Sequence, residues 1–117
     1  MLNQVVLVGR LTSNPEIITT ENGKKTTTIN IAVQRSYKNV DGLYETDFIR
    51  CVLWNGVAAN TCEYCHSGDI VGIKGRLQTR SYEKDEEKKF ITEVIADKVT
   101  FLSSNSNNTK TEEKADE

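Results

Sequence analysis

A small all-β domain with one short helix, its five strands closed into a barrel, is the fold class this sequence predicts. Three observations carry that prediction. Apolar and polar residues alternate with period two in five separate stretches, which places one apolar face on each. One stretch, residues 56–66, reads as a short helix, with Asn55 as its N-cap and Gly68 closing it. Turn signals fall between these segments, and a chain of 117 residues fits one domain with a real core but not two.

Taken in order, residues 3–11 form the first strand, ending near Gly9 and broken by Asn14-Pro15. Glu16 to Thr20 extends it after a bend, and Glu21-Asn22-Gly23-Lys24 is a turn. Thr26 to Arg35 puts Thr27, Ile29, Ile31 and Val33 on one side, with Tyr37 at its exit and a hairpin tip at Asn39-Val40-Asp41-Gly42. Thr46–Trp54 is the third strand, followed by the helix. Residues 69–82 and 90–101 are two long strands around an acidic tip at 83–89. Five strands with a helix between the third and fourth is the layout of an oligonucleotide-binding (OB) barrel. Closure also removes most strand edges. The domain is expected over residues 1–102. The polar stretch from Ser103 has nothing apolar to bury, so residues 103–117 are expected as a disordered polar and acidic tail.

The chemistry lies in the faces opposite the core. In the third strand Ile49, Cys51 and Leu53 share the apolar side, while Phe48, Arg50, Val52 and Trp54 share the other. Two large aromatics around a guanidinium serve no purpose on a water-facing sheet. Aromatic planes interleaved with positive charge are what stacked bases and a phosphate backbone require. In the fourth strand Val71, Ile73 and Leu77 take the core parity and Lys74, Arg76, Arg80 and Tyr82 the other. The stacking candidates are therefore Tyr37, Phe48, Trp54 and Tyr82. The phosphate candidates are Arg35, Arg50, Lys74, Arg76 and Arg80, with Lys38 and Arg10 weaker. The competing accounts are a dimer interface for the aromatics and a solvated charged face for the basic residues.

Net charge does not announce a polyanion partner, since it is −2 overall. From Ser103 on there are two lysines and four acids, which leaves 13 basic and 13 acidic groups in the first 102 residues. Placement decides the matter. All five arginines fall in or beside strands, whereas Glu83, Asp85, Glu86 and Glu87 fall in the tip, so a neutral protein carries a locally basic face. No apolar run reaches membrane-spanning length and no signal peptide is visible, which points to the cytoplasm. Three cysteines, an odd number, argue against an extracellular disulfide framework.

Cys62-Glu63-Tyr64-Cys65-His66 has the form of a c-type haem attachment sequence. The sole methionine is Met1, no export signal is visible, and the segment lies inside the expected helix. A redox dithiol lacks the surrounding βαβ pattern, and a zinc site would have to draw Cys51 out of the core. Structural helix residues are the better account, so neither metal nor cofactor is expected. With one histidine, no glycine-rich phosphate loop and no paired carboxylates on the platform, no catalytic constellation emerges.

The opening Met-Leu-Asn-Gln-Val-Val-Leu-Val-Gly-Arg-Leu-Thr-Ser-Asn-Pro-Glu resembles the start of bacterial single-stranded DNA-binding proteins. So do Ile31-Ala32-Val33, Asp47 to Trp54, Gly75 to Tyr82, and Thr92-Glu93-Val94-Ile95-Ala96, in the family's order and spacing across about residues 1–102. The resemblance implies an OB barrel that assembles as a homotetramer and coats single-stranded DNA in replication, recombination and repair. It also implies that Tyr37, Phe48, Trp54 and Tyr82 stack bases, and that the hairpin bearing Lys84, Lys88 and Lys89 embraces the strand. Typical members end in an acidic tip closed by an apolar residue, proline and phenylalanine, which recruits replication and repair enzymes. Thr111-Glu112-Glu113-Lys114-Ala115-Asp116-Glu117 lacks that closure, which puts such recruitment in doubt and suggests an accessory, phage-borne or mobile-element version. Two alternatives are an OB-fold protein-interaction or primosome-assembly module with weak DNA binding, and a thiol-redox protein built on Cys62 and Cys65.

Overall fold

The computed structural model describes residues 1–104. Its elements are β1 (Val5–Leu11), β2 (Ile18–Thr19), β3 (Lys25–Lys38), β4 (Tyr44–Trp54), α1 (Asn55–Tyr64), β5 (Ile70–Lys84) and β6 (Glu87–Ser103). Sheet order is β1-β5-β6-β4-β3-β2, and a further β1–β3 pairing closes the five long strands into a barrel. The two-residue β2 is an accessory ribbon on β3, paired at Ile18↔Thr26 and Thr19↔Lys25. All pairings are antiparallel except β4 with β6, which meet in parallel at Cys51↔Val94 and Val52↔Ile95. The expected fold class is therefore the observed one.

Alternation fills the barrel as its parity requires. Leu11, Ile29, Ile31, Cys51, Leu53, Val71, Ile73, Val94 and Ala96 form the core, and Ala58 and Cys65 join it from α1 and its C-cap. Burying side chains of this size stabilises by roughly 1.5–3 kcal/mol each for the larger aliphatics. Two glycines let the strands close. A Cβ on Gly9 would lie 2.8 Å from the Ala32 carbonyl oxygen across the β1–β3 seam, and one on Gly75 would collide with the Ile95 carbonyl. Gly75 lies at the irregularity where the β5–β6 register shifts.

Several local expectations need correction. Asn55 is not the N-cap: Trp54 is, in extended conformation, and no side-chain cap bond is made. Asn55 instead has φ +51°, a left-handed conformation that asparagine tolerates better than most residues. The acidic tip shrinks from residues 83–89 to a two-residue turn at Asp85-Glu86, both at positive φ. Pairing continues through Tyr82↔Lys89, Glu83↔Lys88 and Lys84↔Glu87, so two lysine–glutamate pairs stand directly opposite each other. Leu77, assigned to the core, is 48 % exposed, because β5 has left its partner β1 by Gly75 and only β6 remains beside it. Asn3 compensates there, its side chain accepting from the Leu77 N–H and donating to the Leu77 carbonyl. From there to the turn the β5–β6 ribbon is a projecting arm. Ser103, expected as the first residue of the tail, is the last residue of β6, and residues 105–117, on which the rest of that expectation falls, lie outside the described residues.

Candidate nucleic-acid interface

The outer face of β4 carries Tyr44, Thr46, Phe48, Arg50, Val52 and Trp54 in alternation. Phe48 is 69 % exposed and Trp54 38 %, a large apolar outlay for an outer sheet face. Val52 shares this parity yet is buried, as is its register neighbour Ile95. These two β-branched residues form an apolar floor, with Thr28 and Arg76 as their register neighbours on either side. Trp54 lies six positions along the strand from Phe48, a span of about 20 Å. A ligand touching both must be extended.

The arginines are in place, but they are not bare. Glu93 is buried, and its two carboxylate oxygens accept from Arg50 Nε at 3.0 Å and from Arg80 Nε at 2.9 Å. Arg35 donates Nε and one Nη to Asp47 and its other Nη to Glu45. Hydrogen bonding to Asp47 holds the Arg35 pKa above its ordinary value, and the same bond holds the Asp47 carboxyl below the usual range. Arg76 reaches Asp97 at 3.5 Å and Gln78 at 3.4 Å. Lys74 stands apart from this group. It lies opposite Val6 on β1 and Lys98 on β6, on another flank of the barrel. Arg10 turns to the Gly68 carbonyl at 2.7 Å, a structural role.

Tyr37 and Tyr82 flank the platform. Tyr37 is 63 % exposed near the end of β3, within the irregularity between Gln34 and Lys38. Tyr82 is exposed on the arm, opposite Lys89. Sequence reasoning did not single out Tyr44 and Phe90, two further exposed aromatics that each have a lysine over the ring. Tyr44 has Lys38 Nζ 5.8 Å from its ring centroid, and Phe90 has Lys88 Nζ at 5.6 Å. Tyr44 shares the parity of Phe48, so extending the alternation back two more residues finds it. Phe90 has the opposite parity to Tyr82's partner Lys89 and occupies the reverse face of the arm. Only its register opposite Ser81 reveals that.

This geometry suits an open, extended, anionic ligand bearing planar groups. A cavity of about 370 Å³ lies elsewhere, between α1 and β6, lined by Val57, Asn60, Thr61 and Val99. The family model described as "Single-strand binding protein family" matches residues 2–102, nearly all of the described chain. The chain belongs to that family. It is 48 % identical to single-stranded DNA-binding protein B of Bacillus subtilis over 103 residues, which cover 87 % of this chain and 91 % of that one. It is 48 % identical to the single-stranded DNA-binding protein of Oceanobacillus iheyensis, where the match spans 87 % of this chain but 64 % of the relative. Among solved structures it is similar to the Plasmodium falciparum SSB in complex with ssDNA, with a TM-score of 0.78 and 28 % identity. That match covers 88 % of this chain and 96 % of the other.

In this single-strand binding protein the Cys-x-x-Cys-His segment closes α1. Cys65 is the C-cap, its backbone N–H donating to Thr61 at 2.9 Å, and its side chain is buried in the core. Burial pushes its thiol pKa up, as it does for Cys51, which rises to about 11. Cys62 is half-buried. His66 is exposed and lies 3.8 Å from Asp69, whose carboxylate accepts from the His66 backbone N–H. Among the described residues no group of three or more potential ligands is arranged to hold a metal. These residues end a helix and tie its exit to β1, where the Leu11 N–H donates to the Asp69 carbonyl at 2.9 Å.

Proposed function

We propose that the protein binds single-stranded DNA with little regard to sequence, protecting it during replication, recombination and repair. The single observation behind this reading is the outer face of β4, where Phe48 and Trp54 stay exposed on either side of Arg50. Bases stack on Phe48, Trp54, Tyr37 and Tyr82, while Arg35, Arg50, Arg76 and Arg80 neutralise phosphates; Lys74, opposite Val6 on another flank, lies outside this platform. Every base offers a π-face, so stacking is sequence-tolerant. Duplex DNA keeps its bases stacked on one another and gains nothing from the platform. The names of the relatives and the solved complex with ssDNA support the same reading. It is a binding protein rather than an enzyme, acting in the cytoplasm on the nucleoid. No described helix is long and apolar enough to cross a membrane.

The working unit in this reading is a homotetramer. Val6 and Val8 are 68 % and 55 % exposed on the outer face of β1, beside Gly72 and Thr100, an apolar strip that association would cover. The test of function is titration of Trp54 fluorescence with an unstructured oligothymidylate at two salt concentrations, with duplex as the control. The chain has one tryptophan, so the signal comes from the platform. Quenching by the single strand, weakened by salt and absent with duplex, is the expected result. No quenching and no mobility shift would transfer the aromatic face to a protein partner.

A further inference from the structure

We infer that Glu93 is a positioning residue that sets Arg50 and Arg80 as a two-pronged clamp for the phosphates of a bound strand. This deepens the DNA-binding reading and rests on it. Three strands meet at this carboxylate: Arg50 comes from β4, Glu93 from β6 and Arg80 from β5. The Glu93 side chain is 4 % exposed, and a carboxylate so buried is costly unless both oxygens are paired. Each oxygen takes one Nε–H and, among the described residues, nothing else. Bonding through Nε leaves both Nη groups of each arginine without a hydrogen bond or ion pair to any described residue. The arginine side chains remain 42 % and 45 % exposed. A guanidinium held by Nε presents its Nη edge as a planar fork, the geometry that matches two phosphate oxygens.

Arg35 shows the opposite arrangement. Its Nε and both Nη atoms are all engaged by Asp47 and Glu45, so it has no free edge until those exposed acids let go. The clamp therefore differs from a generally basic surface in two respects. Its net charge is one positive, from two cations and one anion, and its prongs are oriented before the strand arrives. It is also well placed. Arg50 lies between Phe48 and Trp54 on β4, and Arg80 lies two residues from Tyr82, so phosphate-binding positions alternate with stacking positions. Fixing the long side chains beforehand removes part of the ordering cost of binding.

The two accounts of Glu93 predict opposite signs. If it were only a nearby negative charge, Glu93→Gln would make the face more basic and tighten binding. If it positions the arginines, the same substitution weakens binding although the protein gains positive charge. The experiment compares the full-length wild-type chain with Glu93→Gln, using oligothymidylate, a mobility shift and Trp54 fluorescence across a salt series. The expected result is Kd weakened about ten-fold at low salt. The slope of log K against log salt should become shallower by roughly 0.7 for each phosphate that the variant no longer neutralises. Equal or tighter binding by Glu93→Gln overturns the clamp. Arg50→Lys and Arg80→Lys keep charge but remove the fork, and decide the matter if Glu93→Gln fails to fold. Both should bind more weakly, and wild-type affinity in both overturns the proposal. A lower melting temperature with an unchanged salt slope would mark Glu93 as structural only and also overturn it. Failure of the wild-type chain to bind would sink the DNA-binding reading itself, whereas a binding wild type matched by its variants sinks the clamp alone.

Discussion

Thr27 occupies a core position with a hydroxyl unpartnered among the described residues: the residue is 1 % exposed and Oγ1 makes no hydrogen bond to any of them. A buried donor left unmade costs about 1–3 kcal/mol, and an isosteric apolar replacement removes that cost. Thr27→Val should therefore raise stability by about 1 kcal/mol, read as a higher urea midpoint at unchanged slope. Phe48→Ala addresses the opposite kind of residue, one whose ring is exposed and contributes little to the core. It should weaken oligothymidylate binding by about 1–3 kcal/mol, the usual contribution of one stacked base, and leave the melting temperature nearly unchanged. A fall in melting temperature with intact binding would make Phe48 a packing residue instead. Parity made Thr27 and Phe48 legible in the sequence, because alternation assigns a face without any knowledge of neighbours. It could not show the pairing of Arg50 and Arg80 through Glu93. That pairing joins residues 43 and 13 positions apart and depends on the register of three strands. Nor could it separate Asn55 as an N-cap from Asn55 as a left-handed residue, since asparagine suits both.

At the scale of elements, the strands and the helix were readable and their ends were not. β5 and β6 outran the expected boundaries because Glu83, Lys84, Glu87 and Lys88 resemble a solvated loop in sequence while pairing as opposite charges in register. β3 likewise continues to Lys38, past an irregularity that breaks the simple alternation. Glycine positions mark the same boundary between local and long-range information. Gly75 and Gly56 look alike in the sequence, one in a strand and one in a helix. A Cβ at Gly75 would strike the Ile95 carbonyl of the neighbouring strand, while a Cβ at Gly56 would meet nothing within 4 Å. Gly75→Ala should therefore destabilise by roughly 3 kcal/mol through forced separation of β5 and β6. Gly56→Ala should stabilise by up to about 1 kcal/mol through helix propensity. Thermal unfolding of the two variants reads both signs in one experiment. If Gly75→Ala unfolds like the wild type, the close approach of the two strands is not a constraint of the fold.

For the whole molecule, two exposed apolar features of the barrel lie on different strands. Val6 and Val8 lie on β1 and the aromatic platform lies on β4, and β1 meets β3 and β5 but not β4. Association through β1 can therefore leave the platform open, and copies joined this way can share one strand of DNA. Linking sites in this manner raises apparent affinity without any new interaction, because later sites engage at the high effective concentration set by the first. A Val6→Glu, Val8→Glu double variant places charge on the strip without touching Phe48, Arg50, Trp54, Arg80 or Glu93. Its expected mass by light scattering is that of a monomer, against a tetramer for the wild type. Its affinity for an oligonucleotide long enough to span several copies should fall about ten-fold or more, whereas affinity for a short one that fits a single platform should change little. Equal losses on long and short oligonucleotides would mean that the β1 face and the platform are one site. A variant that stays tetrameric would place the interface on another face of the barrel.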